Sequence, residues 1–191
     1  MAVSNRQLRA TGTGITINDA PVPAGVTGVV AATTVDGQVE VRAAAGCGAA
    51  GAVIGTYAPG VAISTSNPST YDGMIRLCEA DGGERAYRGS LVVNLHPQNS
   101  TQVNMSVLPL EQYLRGVVPR ESPASWGSLG GVRGMEALKA QAVVARSYVM
   151  AATADRPSGA TTCDTTSCQV YGGAARKTSA GAALVFRAAP P

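Results

Sequence analysis

Along the first half of the chain, apolar positions recur near every second residue. Between Thr13 and Val41 they are Ile15, Ile17, Val26, Val29, Val30, Val35, Val39 and Val41, interrupted by Gly, Pro and an Asp-Gly pair. A period of two places alternate side chains on one face, so this region predicts short strands joined by hairpins. Asp36-Gly37 sits between "TTV" and "QVEV" and marks a tight turn of the kind whose two central positions call for positive φ. From Ala43 to Gly60 alanine and glycine take over, followed by the polar stretch "STSNPSTYDG", and this section reads as loop. Two β-rich runs, "YRGSLVVNL" and "TQVNMSVL", then flank "HPQNS" and predict another hairpin.

The pattern changes beyond these runs. "PLEQYLRG" predicts a short helix opened by Pro109 and closed by Gly116. "VVPRESPASWGSLGG" predicts loop, with Glu121 inside it. From Met135 to Ala152, "MEALKAQAVVARSYVMAA" contains neither Gly nor Pro, and Leu138, Ala142, Ala145 and Val149 form one stripe at intervals of four, three and four. That is the inward face of a principal helix, with Glu136 in its first turn complementing the helix dipole. After Asp155 the chain returns to turn-rich sequence through "TTCDTTSCQVYGG" and ends in alanine. The expected fold class is α+β: mainly antiparallel β-strands packed around one principal helix at about 135–152. Three regions are expected: a β-rich N-terminal region with a Gly/Ala/Pro-rich connection at 1–84, a core at 85–175, and a flexible Ala-rich tail at 176–191.

Composition adds three constraints. Apolar residues make up 45% of the chain but aromatic residues only 4%, so the core is built from small aliphatic side chains. Each buries little area at about 25 cal/mol per Å², and cross-links would help such a fold. Cys47, Cys78, Cys163 and Cys168 allow three pairings; the simplest joins Cys47 to Cys78 and Cys163 to Cys168 and fits an oxidising compartment, with four free thiols as the alternative. The net charge of +3 is spread without a basic stripe, which argues against a nucleic-acid partner and suits an anionic cell wall. No apolar run is long enough to span a membrane, and Met1–Gly14 shows no secretion signal, so an exported protein would carry its signal upstream of this chain.

Three motifs occur in order: "VLPLEQYLRGVVPRESPASWG", "EALKAQAVVARSYV" and "CDTTSCQVYGG". Together, over about Tyr87 to Gly173, they resemble the SpoIID/LytB domain family. The resemblance implies action on bacterial peptidoglycan outside the cytoplasm. It implies either a lytic transglycosylase that cleaves denuded glycan strands to 1,6-anhydromuramic acid ends, or a non-catalytic wall-binding module that stimulates an amidase. Family members usually continue into further strands beyond "CQVYGG" and carry a glycine-rich motif with histidine and "MSQ". The residues here after Gly173 are too short and alanine-rich to supply that part, so a truncated domain is expected.

By the same resemblance, the glutamate after the "VVP" turn is the catalytic acid, here Glu121. A transglycosylase manages with one carboxyl group because the muramic acid's own 6-hydroxyl replaces water, while ordinary glycosidases need two. The acid must start protonated, and burial beside Trp126, Val117 and Val118 is expected to raise its pKa. Gln141, Arg146 and Tyr148 on the principal helix, with Gln169, Tyr171 and Trp126, are candidate substrate-binding residues; each has a plain structural reading as a polar network or packing group. Glu111 and Glu136 read as structural. Some relatives bind zinc beside the last two cysteines, which makes Cys163 and Cys168 zinc candidates here. His96, the one histidine, is remote in sequence, so a disulfide is favoured over a metal and no cofactor is expected.

Overall fold

The computed structural model describes residues 7–131, 133–152, 160–163 and 167–174. The described residues form two compact units: those up to Leu108 together with Ala160, and the remainder from Pro109 onward.

In the first unit the strands are β1 (Leu8–Thr11), β2 (Ile15–Ile17), β3 (Ala20–Pro21), β4 (Gly28–Thr33), β5 (Val39–Ala44), β6 (Ala50–Tyr57), β7 (Val61–Thr65), β8 (Ile75–Cys78), β9 (Glu84–Tyr87), β10 (Ser90–Leu95) and β11 (Gln102–Val107). They make two sheets, ordered β6-β5-β4-β1-β8-β9 and β11-β10-β7-β2-β3, and every pairing is antiparallel. The alternation read from the sequence fixes which face is buried in β5, where Val39 and Val41 join Ile15, Ile17, Val29, Leu91 and Val93 in the core. β7, which lies within the section expected to be loop, also alternates, with Val61, Ile63 and Thr65 pointing inward. One polar link crosses this apolar interior. The Gln102 carboxamide on β11 donates to the Ala31 carbonyl (3.3 Å) and to Asn104 Oδ1 (2.8 Å), and accepts from the Thr33 N–H (2.9 Å) on β4. These bonds satisfy groups that would otherwise be costly to remove from water.

Two local expectations change. The β4–β5 hairpin turns through Val35, Asp36 and Gly37, but only Gly37 has positive φ, at 77°. The Thr34 N–H donates to the Gln38 carbonyl at 2.9 Å, so a three-residue loop with one left-handed glycine replaces the two-residue turn. The Ala/Gly-rich stretch expected to be loop contains β6, which pairs with β5 through register shifts at Arg42. Alanine and glycine have weak strand preference, and the ladder to β5 forms the strand regardless. A disulfide between Cys47 and Cys78 ties the β5–β6 connection to β8.

The second unit holds two helices, α1 (Leu110–Glu121) and α2 (Arg133–Ala151), with a short 3-10 turn at Ala124–Ser128 between them. The expected single principal helix is therefore one of a pair. α1 does not close at Gly116, because that glycine serves close packing and not a helix end: a Cβ there would overlap the Tyr171 ring. The helix continues through Pro119 on its exposed side and stops at Ser122, whose N–H bonds the Val118 carbonyl at 2.9 Å before Pro123. α2 buries Leu138, Ala142, Ala145 and Val149, and Ala142 packs with Val118 of α1. Its small residues on this stripe let the two helices approach closely. Among the described residues, no helix is long and apolar enough to cross a membrane.

Candidate functional site

Glu121 is the last residue of α1, not a loop residue, and its side chain is exposed. The expected burial is absent: Val117 and Val118 turn inward on α1, and Trp126 is 45% exposed on the 3-10 turn. What fixes the carboxylate is a hydrogen bond. The Val170 backbone N–H donates to Glu121 Oε1 at 2.9 Å. Among the described residues the second carboxylate oxygen has no such partner.

Val170 belongs to a strap, residues 167–174, that lies along α1, and four contacts explain why it docks there. The Tyr113 hydroxyl donates to Gln169 Oε1 at 3.1 Å. The Tyr171 ring stacks on Tyr113, with centroids 5.5 Å apart and planes 3° from parallel. The Gly172 N–H donates to the Gly116 carbonyl at 3.2 Å. Finally, the Arg120 guanidinium lies over Gly172, in space that a Cβ would occupy. Tyr113 and Gly116 lie nearly one turn apart on one face of α1, so the bulky ring and the vacancy beside it form a seat for Tyr171. A disulfide ties Cys168, near the start of the strap, to Cys163. With both sulfurs joined, neither is available as a thiolate ligand for zinc.

The other candidates divide by burial. Gln169 and Tyr171, at 7% and 1% exposed, face α1. Arg146 is occupied: its Nε and Nη2 both reach Glu111 Oε1, at 3.2 and 2.7 Å, joining α2 to α1. Gln141 is half-buried, whereas Tyr148 and Trp126 remain exposed.

Sequence reasoning missed Tyr113, Arg120 and the Val170 amide. Tyr113 is 4% exposed, and burial pushes its phenol from 10.0 up to about 12. A hydrogen bond with Thr162 opposes that rise, while the nearby charges of Tyr148 and Glu121 add to it. Tyr113 thus sits close to both ends of the candidate site. Its only signal in the sequence was its spacing of four from Val117; a backbone amide carries no residue-type signal at all.

Residues 98–188 match the family described as Stage II sporulation protein, SpoIID. Over 97 residues the chain is 35% identical to an uncharacterized protein of Brachyspira hyodysenteriae, covering 51% of this chain and 21% of that protein. Over 60 residues it is 50% identical to a protein of Bacillus subtilis named amidase enhancer, covering 31% of this chain and 7% of that one. The chain therefore spans a small part of both relatives. No solved structure matches it significantly. The stretch that holds both helices and the strap lies within residues 98–188, the part of the chain that matches the SpoIID family.

Proposed function

We propose that this chain acts on bacterial peptidoglycan outside the cytoplasm and cleaves denuded glycan strands, with Glu121 as both acid and base. Glu121 gives its proton to the glycosidic oxygen as the bond to the muramic acid C1 breaks. The muramic acid 6-hydroxyl then attacks C1, and Glu121 takes the hydroxyl proton. The product is a 1,6-anhydro ring, no water is consumed, and the carboxyl group ends as it began.

The observation that carries this reading is the exposed carboxylate held at one oxygen by the Val170 N–H, with its other oxygen unpartnered among the described residues. A group with two tasks in one reaction needs a fixed position and an accessible atom. Sugar bound over it excludes water from a carboxyl group that is exposed in the free chain. Exposed Trp126 and Tyr148 offer ring faces for sugars, and half-buried Gln141 on α2 offers an amide for hydrogen bonding. Gln169 and Tyr171 contribute by holding the strap, and Arg146 by joining the helices. The two disulfides fit an extracytoplasmic setting. The test is mass spectrometry of denuded glycan after incubation with the wild-type chain and with Glu121→Gln; anhydro ends from the wild type alone support the reading.

The likeness to the amidase enhancer favours a second reading, a wall-binding module that stimulates an amidase without chemistry of its own. A purified cell-wall amidase assayed with and without the chain separates the two. Stimulation that survives Glu121→Gln, without anhydro products, supports the second reading.

A further inference from the structure

Of the two arginines beside the candidate site, Arg146 is committed to Glu111, and Arg120 is not committed to any carboxylate among the described residues. Arg120 is exposed and immediately precedes Glu121 on the last turn of α1. Among the described residues the two side chains do not pair with each other, and both lie against the strap. Glu121 takes the N–H of Val170, and the guanidinium of Arg120 rests over Gly172, two residues on. The missing side chain at Gly172 makes that position possible. An exposed cation with no carboxylate partner among the described residues, beside an acid in the chain, is an arrangement for a ligand that brings its own anion.

A denuded glycan strand carries one such anion on every second sugar. Each muramic acid bears a lactyl group, which is a free carboxylate when the peptide has been removed and a neutral amide when it is present. We infer that Arg120 is a specificity-determining residue that binds the lactyl carboxylate of the muramic acid beside Glu121. This rests on the reading of Glu121 given above and deepens it. The planar fork of arginine donors suits a carboxylate, and the charge-assisted bond is lost when the carboxylate becomes an amide or an ester. Selection for stripped strands then comes from one contact beside Glu121.

The experiment measures binding in the Glu121→Gln background, where the probe is not consumed. The probes are the tetrasaccharide of alternating N-acetylglucosamine and N-acetylmuramic acid, and the same molecule with its lactyl groups methyl-esterified. The Glu121→Gln protein is expected to prefer the free acid by roughly tenfold or more, the scale of a charge-assisted pair. Adding Arg120→Gln should bring the two affinities together, whereas Arg133→Gln, which removes the same charge elsewhere in the unit, should leave the preference intact. Gly172→Ala, which displaces the guanidinium without changing charge, should reduce the preference while circular dichroism stays unchanged. Absence of a preference in the Glu121→Gln protein, its survival in Arg120→Gln, or its equal loss in Arg133→Gln overturns the inference. The reading of Glu121 is judged separately, by anhydro products from the wild type. Products without an Arg120-dependent preference sink only the inference, and the preference without products sinks only the chemistry.

Discussion

Gly116→Ala tests the way the strap is seated on α1. In an ordinary exposed helix this change stabilises by about 0.5–1 kcal/mol, because alanine has less backbone freedom to lose. Here the added Cβ would overlap two carbons of the Tyr171 ring and lie 2.9 Å from the Gly173 carbonyl oxygen. The ring cannot swing into solvent cheaply, since it is 1% exposed and stacked on Tyr113. Overpacking of this kind costs about 1–3 kcal/mol, so crowding outweighs propensity and a net loss of about 1–2 kcal/mol is expected. Equilibrium urea unfolding reads this as a lower midpoint at unchanged slope. The penalty should shrink when Tyr171 is already alanine, since the double-mutant cycle removes the clash from both sides. If Gly116→Ala raises the midpoint in the otherwise native chain, Tyr171 is not seated on α1 and the account of how Glu121 is positioned fails with it.

Other consequences can be measured on the same material. Replacing Tyr113 by Phe should remove an alkaline contribution to stability. The folded phenol titrates at about 12 against 10.0 for the ordinary group, so the native state holds its proton longer and stability falls as pH rises from 10 through 12. That loss, at most about 3 kcal/mol, should be smaller in Tyr113→Phe when unfolding is compared across that range. Removing the Cys47–Cys78 disulfide, which spans 31 residues, should cost about 4 kcal/mol, against about 2 kcal/mol for Cys163–Cys168, which spans 5. Paired Cys→Ala variants in urea test that order. Removing the second pair should in addition lower glycan cleavage, because Cys168 lies in the strap. Equal activity with and without it would show that the strap holds its place unaided.

The strands between Thr13 and Val41, the β10–β11 hairpin and α2 were legible in the sequence because their signals are periodic and local. Val39 and Val41, or Leu138 and Ala142, declare a buried face by spacing alone. β6 was hidden because its alanines and glycines form a strand only through the neighbouring ladder, and α1 was shortened because Gly116 imitates a helix end. Glu121 was legible as a candidate only through the surrounding motif, since an exposed glutamate has no periodic signature. Its partner was beyond reach: Val170 acts through its backbone, 49 residues away, and only the folded strap brings that amide to the carboxylate. The roles of Gln169 and Arg146 were ambiguous for a related reason. A polar side chain near a site reads alike whether it faces a ligand or a neighbouring helix, until packing shows which.

The most direct trial of the whole account is the fate of purified, peptide-free glycan strands. After incubation with the native chain they should carry new 1,6-anhydromuramic acid ends, and with Glu121→Gln, which keeps the shape of the side chain but not its titratable proton, they should carry none. Anhydro ends released equally by both proteins would contradict it.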